Sequence, residues 1–355
     1  MEGTMSIREI ANLAGVSPAT VSRVLNGFDN VHPKTREVVQ QAVDALGYEA
    51  ASLVRKSKKK SKLVGLVVPD LDNPFFTEII LGAQSSAEKF GISFFICDTG
   101  DNDQKELQYL RRLKESQVSG ILIVPVSDDD DSVNNGYLNL LSGMDIPIVL
   151  MDRDSRYSNF SGVFSDNQRG TYEATTLLFE KGHRKIGFIA GPINTRPGRE
   201  RTQGYKEAYA IAKIPLDETL IRHGDFTVQS GYNETMRLLR QRPDITAIFA
   251  CNNMMLLGCL KALREKEIIV PDEMALVGFD KLPYSEVLDI GLTVVEHAAY
   301  EIGQIGMDML WEAMCGSADV RVRRVMLIPD LKIRGSEAYP KKPLTQRADF
   351  LKKGG

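Results

Sequence analysis

Six short motifs combine carboxylates, amides, guanidinium groups and aromatic rings, each a few residues beyond an apolar run. They are Asp72-Asn73-Pro74-Phe75-Phe76, Asp152-Arg153, Arg199-Glu200-Arg201 after a Gly191-Pro192 loop, Gly224-Asp225-Phe226, Asn252-Asn253 and Phe279-Asp280. Asp, Asn and Arg side chains bond vicinal hydroxyls through paired donors and acceptors, and aromatic rings cover apolar C–H faces. Charge-assisted bonds of this kind are roughly twice as strong as neutral ones. The chemistry is that of a sugar site. Any one of these polar residues alone reads as a helix cap. Six motifs at the same kind of position read as a site.

Residues near the N-terminus suit a different chemistry. Ser6 and Glu9 form a capping box for a short helix in which Ile7, Ile10, Ala11 and Ala14 fall at helical spacing. Gly15 ends it, Ser17 caps a second helix, and Pro18 takes the first position, where a missing N–H costs nothing. Val21, Val24 and Leu25 make the inner face of this second helix, leaving Thr20, Ser22, Arg23 and Asn26 outside. Two short helices joined by a Gly-containing turn read DNA with the second helix in the major groove. Arg23 suits bidentate pairing with guanine, and Ser17, Thr20, Ser22 and Asn26 suit phosphates or base edges. A third helix over 33–46 packs a stripe of Val38, Val39, Ala42, Val43 and Leu46 on the first two.

Charge agrees with that reading. The whole chain is at −3, but residues 1–62 hold ten Lys/Arg against six Asp/Glu, while the remainder holds 34 against 41. Six cations crowd the eight positions from Arg55 to Lys62. A basic head on an acidic body is the footprint of a polyanion partner.

The sugar motifs need elements to hold them. From Leu63 a continuous apolar run, Leu63-Val64-Gly65-Leu66-Val67-Val68, predicts a buried parallel strand. Helices over 77–90 and 104–115 alternate with strands over 93–97 and 120–124, and strands recur over 147–151, 185–190, 247–250 and 275–278. Strands alternating with helices of this length mean βαβ units and doubly wound parallel sheets. About nine such strands exceed one compact sheet, so the body is expected to be two-lobed, with ligands beyond the carboxyl ends of its strands.

The N-terminal motifs resemble the headpiece of the lactose-repressor (LacI/GalR) family of bacterial transcription regulators. The resemblance rests on Ile7–Ala14, on the run from Gly15 to Asn26, on Lys34-Thr35-Arg36-Glu37 and on Leu46-Gly47-Tyr48. It implies a homodimer reading a palindromic operator in double-stranded DNA, with Pro18, Ala19 and Arg23 on bases and Ser17, Thr20, Ser22, Asn26, Lys34 and Thr35 on phosphates. The body resembles the ribose-type periplasmic binding proteins and the regulator core that shares their fold. That likeness implies sugar contacts at Asn73, Phe75, Phe76, Asp152, Arg153, Arg201, Phe226, Asn252 and Asp280, with His297 beside them. It also implies three crossings between lobes near 160, 292 and 325. The expected organisation is a helix-turn-helix headpiece over 5–50, a basic hinge over 51–62 and a core over 63–338. One lobe takes about 63–160 and 293–325, the other about 161–292 and 326–338, and a tail follows over 339–355.

Three places depart from that family. Ala50 and Ala51 replace Pro-Asn, and Ser57 replaces the leucine that wedges into the minor groove, where kinking needs an apolar side chain. Asn253 stands in place of Asp. His297 replaces Gln, followed by Ala298 in place of Pro.

Composition excludes other classes. With 355 residues, 43% hydrophobic and 26% charged, the chain has ordinary globular proportions. No apolar run approaches the ~20 residues of a bilayer span, and no signal-peptide pattern opens the chain, so a cytoplasmic location is expected. Four cysteines form no CxxC pair and are expected reduced. HExxH, P-loop and GxSxG patterns are absent. The Asp128–Asp131 run lacks a calcium-loop turn and reads as a solvated loop, and His183 reads as a surface loop residue. No catalytic residue, metal ligand or cofactor is assigned. The expected function is a sugar-controlled transcription repressor. Its alternatives are a catabolite-control regulator with a phosphoprotein co-regulator, a transport binding protein, and an enzyme using Asp152 and Asp280 as acid and base.

Overall fold

The computed structural model describes residues 7–25, 31–45, 63–126, 140–154, 159–285, 291–316 and 321–346. The chain divides between Ser61 and Lys62 into two compact units. Asn26, the hinge with Ser57 and its lysines, and the 128–131 run lie outside the described residues.

In the first unit, α1 (Ile7–Ala14), α2 (Pro18–Leu25) and α3 (Pro33–Ala45) close on a small core. Its members are Ile10, Ala11, Ala14, Val21, Val24, Val39, Ala42 and Val43. Gly15 turns the chain with φ 66°, a conformation that costs glycine little. Ser17 Oγ then accepts from Thr20 N at 3.1 Å, capping α2. Val38 departs from the expected stripe and is 44% exposed. Val39, Ala42 and Val43 already fill the inward face of α3, and the next position around the helix points out.

The second unit contains two six-stranded sheets. In chain order its elements are β1 (Leu63–Val68), α4 (Pro74–Phe90), β2 (Ser93–Asp98), α5 (Asp103–Glu115), β3 (Gly120–Ile123), β4 (Ile148–Met151), β5 (Ser161–Ser165), α6 (Asn167–Glu180), β6 (Ile186–Ala190), α7 (Arg196–Ile211), β7 (Ile221–His223), α8 (Val228–Gln241), β8 (Ala247–Ala250), α9 (Asn253–Glu265), β9 (Ala275–Phe279), β10 (Thr293–Glu296), α10 (Ala299–Met314), β11 (Arg324–Leu327) and β12 (Asp330–Lys332). Sheet order is β11-β5-β4-β3-β1-β2 in the first lobe and β12-β10-β9-β8-β6-β7 in the second. All neighbours are parallel except β12, which runs antiparallel to β10. Helix α4 starts three residues earlier than the apolar pattern suggests, because Asn73 caps it and Pro74 occupies its first turn.

The crossings fall later than expected. β5 pairs with β4, so 161–165 belong to the first lobe, not the second. β10 pairs with β9, so 293–296 belong to the second lobe, not the first. β11 pairs with β5 through Leu327, so the last crossing lies between Leu327 and Asp330 rather than near 325. Strand partners are chosen across the chain, and local pattern does not encode them. Helices α4 and α10 cover the first sheet in backbone contact. A Cβ added at Gly303 would overlap the Ile79 carbonyl oxygen, and one at Gly82 would overlap that of Tyr300.

The described start of the expected tail, residues 339–346, is part of the second lobe. Leu344 is fully buried in its core, and Lys342 N bonds Asp272 O at 2.9 Å. His183 is likewise buried rather than a surface residue: Nδ1 lies 2.8 Å from Thr246 Oγ1 and Nε2 3.1 Å from Glu337 O. The chain after β12 covers the strand N-termini, and with them a loop that looks solvated by its sequence.

This plug predicts how stability depends on pH. Burial pushes the His183 imidazole below its ordinary 6.5. As pH falls below 6.5 the unfolded chain takes up a proton that the folded chain refuses, so stability drops. Burial pushes the Glu337 carboxyl up, but the Thr293 hydroxyl and backbone N–H groups outweigh it and hold it below 4.5. Its contribution is lost in a second, lower window. The thermal midpoint of the wild type should therefore fall between pH 7 and pH 5.5, and less steeply in His183→Gln. Equal slopes in the two proteins would refute the assignment.

Candidate functional site

Strand C-termini of both lobes open on one cavity of about 290 Å³. Nine of the ten sugar-contact candidates line it: Asn73, Phe75, Phe76, Asp152, Arg153, Arg201, Phe226, Asn252 and Asp280. His297 does not. It sits behind Asp280, with Nδ1 2.5 Å from Asp280 Oδ1 and Nε2 3.2 Å from Asn167 Oδ1. The reason is its place in the chain: it follows β10 at a crossing, where Phe75 and Phe279 cover its ring at 5.3 and 4.8 Å.

Two of the sugar-contact candidates are both caps and cavity walls. Asn73 Oδ1 accepts from Phe75 N at 3.0 Å and from Asn253 Nδ2 at 2.9 Å, the second bond running between lobes. Asn252 Oδ1 accepts from Met255 N at 2.9 Å, while its Nδ2 donates to Phe226 O at 3.0 Å. Asp152 and Asp280 are not caps. They occupy equivalent places in the two lobes: Asp152 N bonds Val163 O at 2.8 Å and Asp280 N bonds Val295 O at 2.7 Å. Both then turn left-handed, at φ 57° and 65°, as do Asp101 at 53° and Phe226 at 69°. Such backbone costs about 1–3 kcal/mol per residue and persists where the surroundings over-determine it, as at ligand clamps.

The two arginines are held rigidly. Arg153 Nη1 donates to Asp101 Oδ1 at 2.7 Å and to Val126 O at 2.8 Å. Its guanidinium lies 5.9 Å from the Phe76 ring and 5.7 Å from the Phe226 ring, one from each lobe. Arg201 donates from Nε to Asn167 Oδ1 at 2.9 Å and from Nη1 to the Cys251 carbonyl, and lies 4.0 Å over Phe279. One buried acceptor in the wall is open: Asp152 Oδ1 has no hydrogen-bond partner among the described residues. The cavity thus offers fixed donors, apolar ring faces and an unmet acceptor, which is what a polyhydroxylated ligand needs.

Sequence reasoning missed Asp70 and Asp101 as cavity residues, and it named Asp225 in a motif without assigning it a sugar contact. Asp101 follows β2, whose C-terminal loop the strand-end rule covers as well as any other. In the first unit, Ser17, Pro18, Ala19, Arg23 and Lys34 are exposed, and Thr20 and Thr35 half-buried. The Ser17 and Thr20 hydroxyls lie 2.9 Å apart. Ser22 falls on α2.

Residues 61–342 match the family of periplasmic binding proteins and sugar binding domain of LacI family, and residues 6–50 match the bacterial regulatory proteins of the lacI family. The chain belongs to the LacI family of bacterial regulators. Among curated relatives, the HTH-type transcriptional repressor PurR of Haemophilus influenzae (strain PittEE) is 32% identical over 335 residues, covering 93% of this chain and 98% of that protein. PurR of Vibrio atlanticus (strain LGP32) is 33% identical over 86% of this chain and 91% of its own length. Among solved structures, the complex of the transcriptional regulator CelR with cellobiose is 32% identical, with a TM-score of 0.71, over 94% of this chain and all of that one. The lac repressor dimer bound to operator and the anti-inducer ONPF has a TM-score of 0.70 at 26% identity, over 95% of this chain and all of that one. The N-terminal helix-turn-helix and the two α/β lobes are the LacI-family architecture; the PurR relatives are HTH-type transcriptional repressors, and the lac repressor dimer is bound to operator. No helix among the described residues is long and apolar enough to cross a membrane.

Proposed function

We propose that this LacI-family chain represses transcription as a homodimer on a palindromic operator, and that a sugar held between its lobes sets operator affinity. The cavity carries the reading: both lobes build it, and its buried acceptor Asp152 Oδ1 awaits a ligand donor. Asn73, Phe75, Phe76, Asp152, Arg153, Arg201, Phe226, Asn252 and Asp280 contact the sugar. Its partners on DNA are bases at Pro18, Ala19 and Arg23, and phosphates at Ser17, Thr20, Ser22, Asn26, Lys34 and Thr35. A second copy covers Leu81 on α4 and Phe95 and Ile96 on β2, which are 51%, 48% and 48% exposed. A two-fold dimer then matches a two-fold operator.

Selection from random duplexes should return a palindrome, and a sugar panel should shift anisotropy of that duplex and raise the melting temperature. At 100 times its dissociation constant a ligand adds about 2.7 kcal/mol. A selected sequence without two-fold symmetry, or no response to any sugar, would count against the reading. Arg23→Ala should cost about 1–3 kcal/mol on the selected operator and relax preference at one base pair per half-site. Equal weakening on random DNA would make Arg23 a phosphate contact instead.

A further inference from the structure

We infer that the ligand of the inter-lobe cavity carries no phosphate or other anionic group. The inference rests on the sugar reading above and narrows it to unphosphorylated sugars. Five carboxylates line the cavity, Asp70, Asp101, Asp152, Asp225 and Asp280, against two guanidinium groups, Arg153 and Arg201. Arg153 is already paired with Asp101 at 2.7 Å and bonded to the Val126 carbonyl. Arg201 spends Nε and Nη1 on the Asn167 amide oxygen and the Cys251 carbonyl. Asp280 faces His297. None of the ion pairs among the described residues reaches Asp70, Asp152 or Asp225.

Those three carboxylates come from both lobes, so an anion anywhere in so small a cavity lies near at least one. The interaction is strong because a partly desolvated site screens charge poorly. The Asp70 end is crowded with negative charge already. Burial, with Asp72 and Asp98 beside it, pushes its carboxyl up. Asp225 is a fixed anion at neutral pH. Burial raises it, but the Thr227 hydroxyl and N–H and the Ser230 hydroxyl outweigh that and hold it below the usual carboxylate range.

Two features separate this cavity from a phosphate site. A phosphate takes free N–H groups at helix N-termini. Here the first turns of α4, α7, α8 and α9 each give an N–H to a capping side chain, Asn73, Thr195, Thr227 and Asn252. The open polar atom in the wall is an acceptor. Asp152 is 3% exposed and its Oδ1 is unmet, so it calls for a ligand O–H or N–H and repels a phosphate oxygen.

The test is calorimetric titration of the full chain with a panel of neutral pentoses, hexoses and disaccharides, each beside its phosphate ester. A neutral member should bind, and its ester at least 100-fold more weakly. The double variant Asp70→Asn with Asp225→Asn keeps both oxygen acceptors and removes two charges. It should narrow that gap at least tenfold, with retention of fold checked by its melting temperature. An ester that binds the wild type as tightly as its parent sugar overturns the inference and leaves the sugar reading standing. A panel in which no member of any pair binds overturns the sugar reading itself.

Discussion

Replacing Arg201 with Ala should abolish the response of operator binding to sugar while operator binding itself persists. Arg201 is 3% exposed, and its side chain ties three things together: the first residue of α6, the carbonyl that follows β8, and the Phe279 ring. Truncation leaves the Asn167 oxygen short of a donor and the Cys251 carbonyl unmet, at about 1–3 kcal/mol for each buried group left unsatisfied. It also removes a desolvated cation–π contact of about 2 kcal/mol. Sugar affinity should fall at least 100-fold, and the melting temperature of the second unit should drop. Lys at this position should not rescue, because an ammonium is a point donor without the planar fork that reaches both acceptors. The headpiece forms its own core in a separate unit, so DNA affinity without sugar should stay near that of the wild type. An Arg201→Ala protein that still answers to sugar would remove Arg201 from the site.

Replacing Gly303 with Val should have the largest effect on the fold. A Cβ there would overlap the Ile79 carbonyl oxygen and lie 2.7 Å from Ala83 N, both of them backbone atoms of α4 that cannot rotate away. Gly82 makes the reciprocal approach to Tyr300. The two helices must therefore separate along their whole crossing. Overpacking typically costs about 1–3 kcal/mol, and a backbone collision belongs at or above the top of that range. Denaturant unfolding should report a loss of ~3 kcal/mol or more. Sugar binding should weaken as well, since α4 carries Phe75 and Phe76 and is capped by Asn73. Gly316→Ala is the control. Its φ is 73° and nothing lies within 4 Å of the added methyl, so only the left-handed strain of about 1–2 kcal/mol applies. Equal losses in the two variants would show that backbone conformation, and not helix contact, decides the cost at Gly303.

Much of the molecule is written locally. Continuous β-branched apolar runs such as Leu63–Val68 read as strands buried on both faces, and Ser17 with Pro18 reads as the opening of a helix, because caps and periodicity act within a few residues. The rule that ligands gather beyond strand C-termini turned six separate motifs into one site, and each motif places at least one residue on one cavity, while Asn253 bonds Asn73 from behind the wall. What the tertiary structure alone decided is which distant pieces meet. The sheet to which β5 and β10 belong is a choice of pairing partner, and that choice moves each of the first two crossings by about five residues. His183 looks solvated until the chain after β12 folds over it, and residues 339–346 look like a tail until Leu344 finds the second core. Asp70, Asp101 and Asp225 each follow a strand, but that place alone does not distinguish a cavity wall from a turn or a cap, and only the fold sets them beside Asp152. His297 lies beside the site in sequence register but behind it in space. A strand, a cap or a turn is fixed by interactions among neighbours in the chain. Burial, lobe membership and the net charge of a cavity depend on contacts made across hundreds of residues, and only the folded chain brings those together.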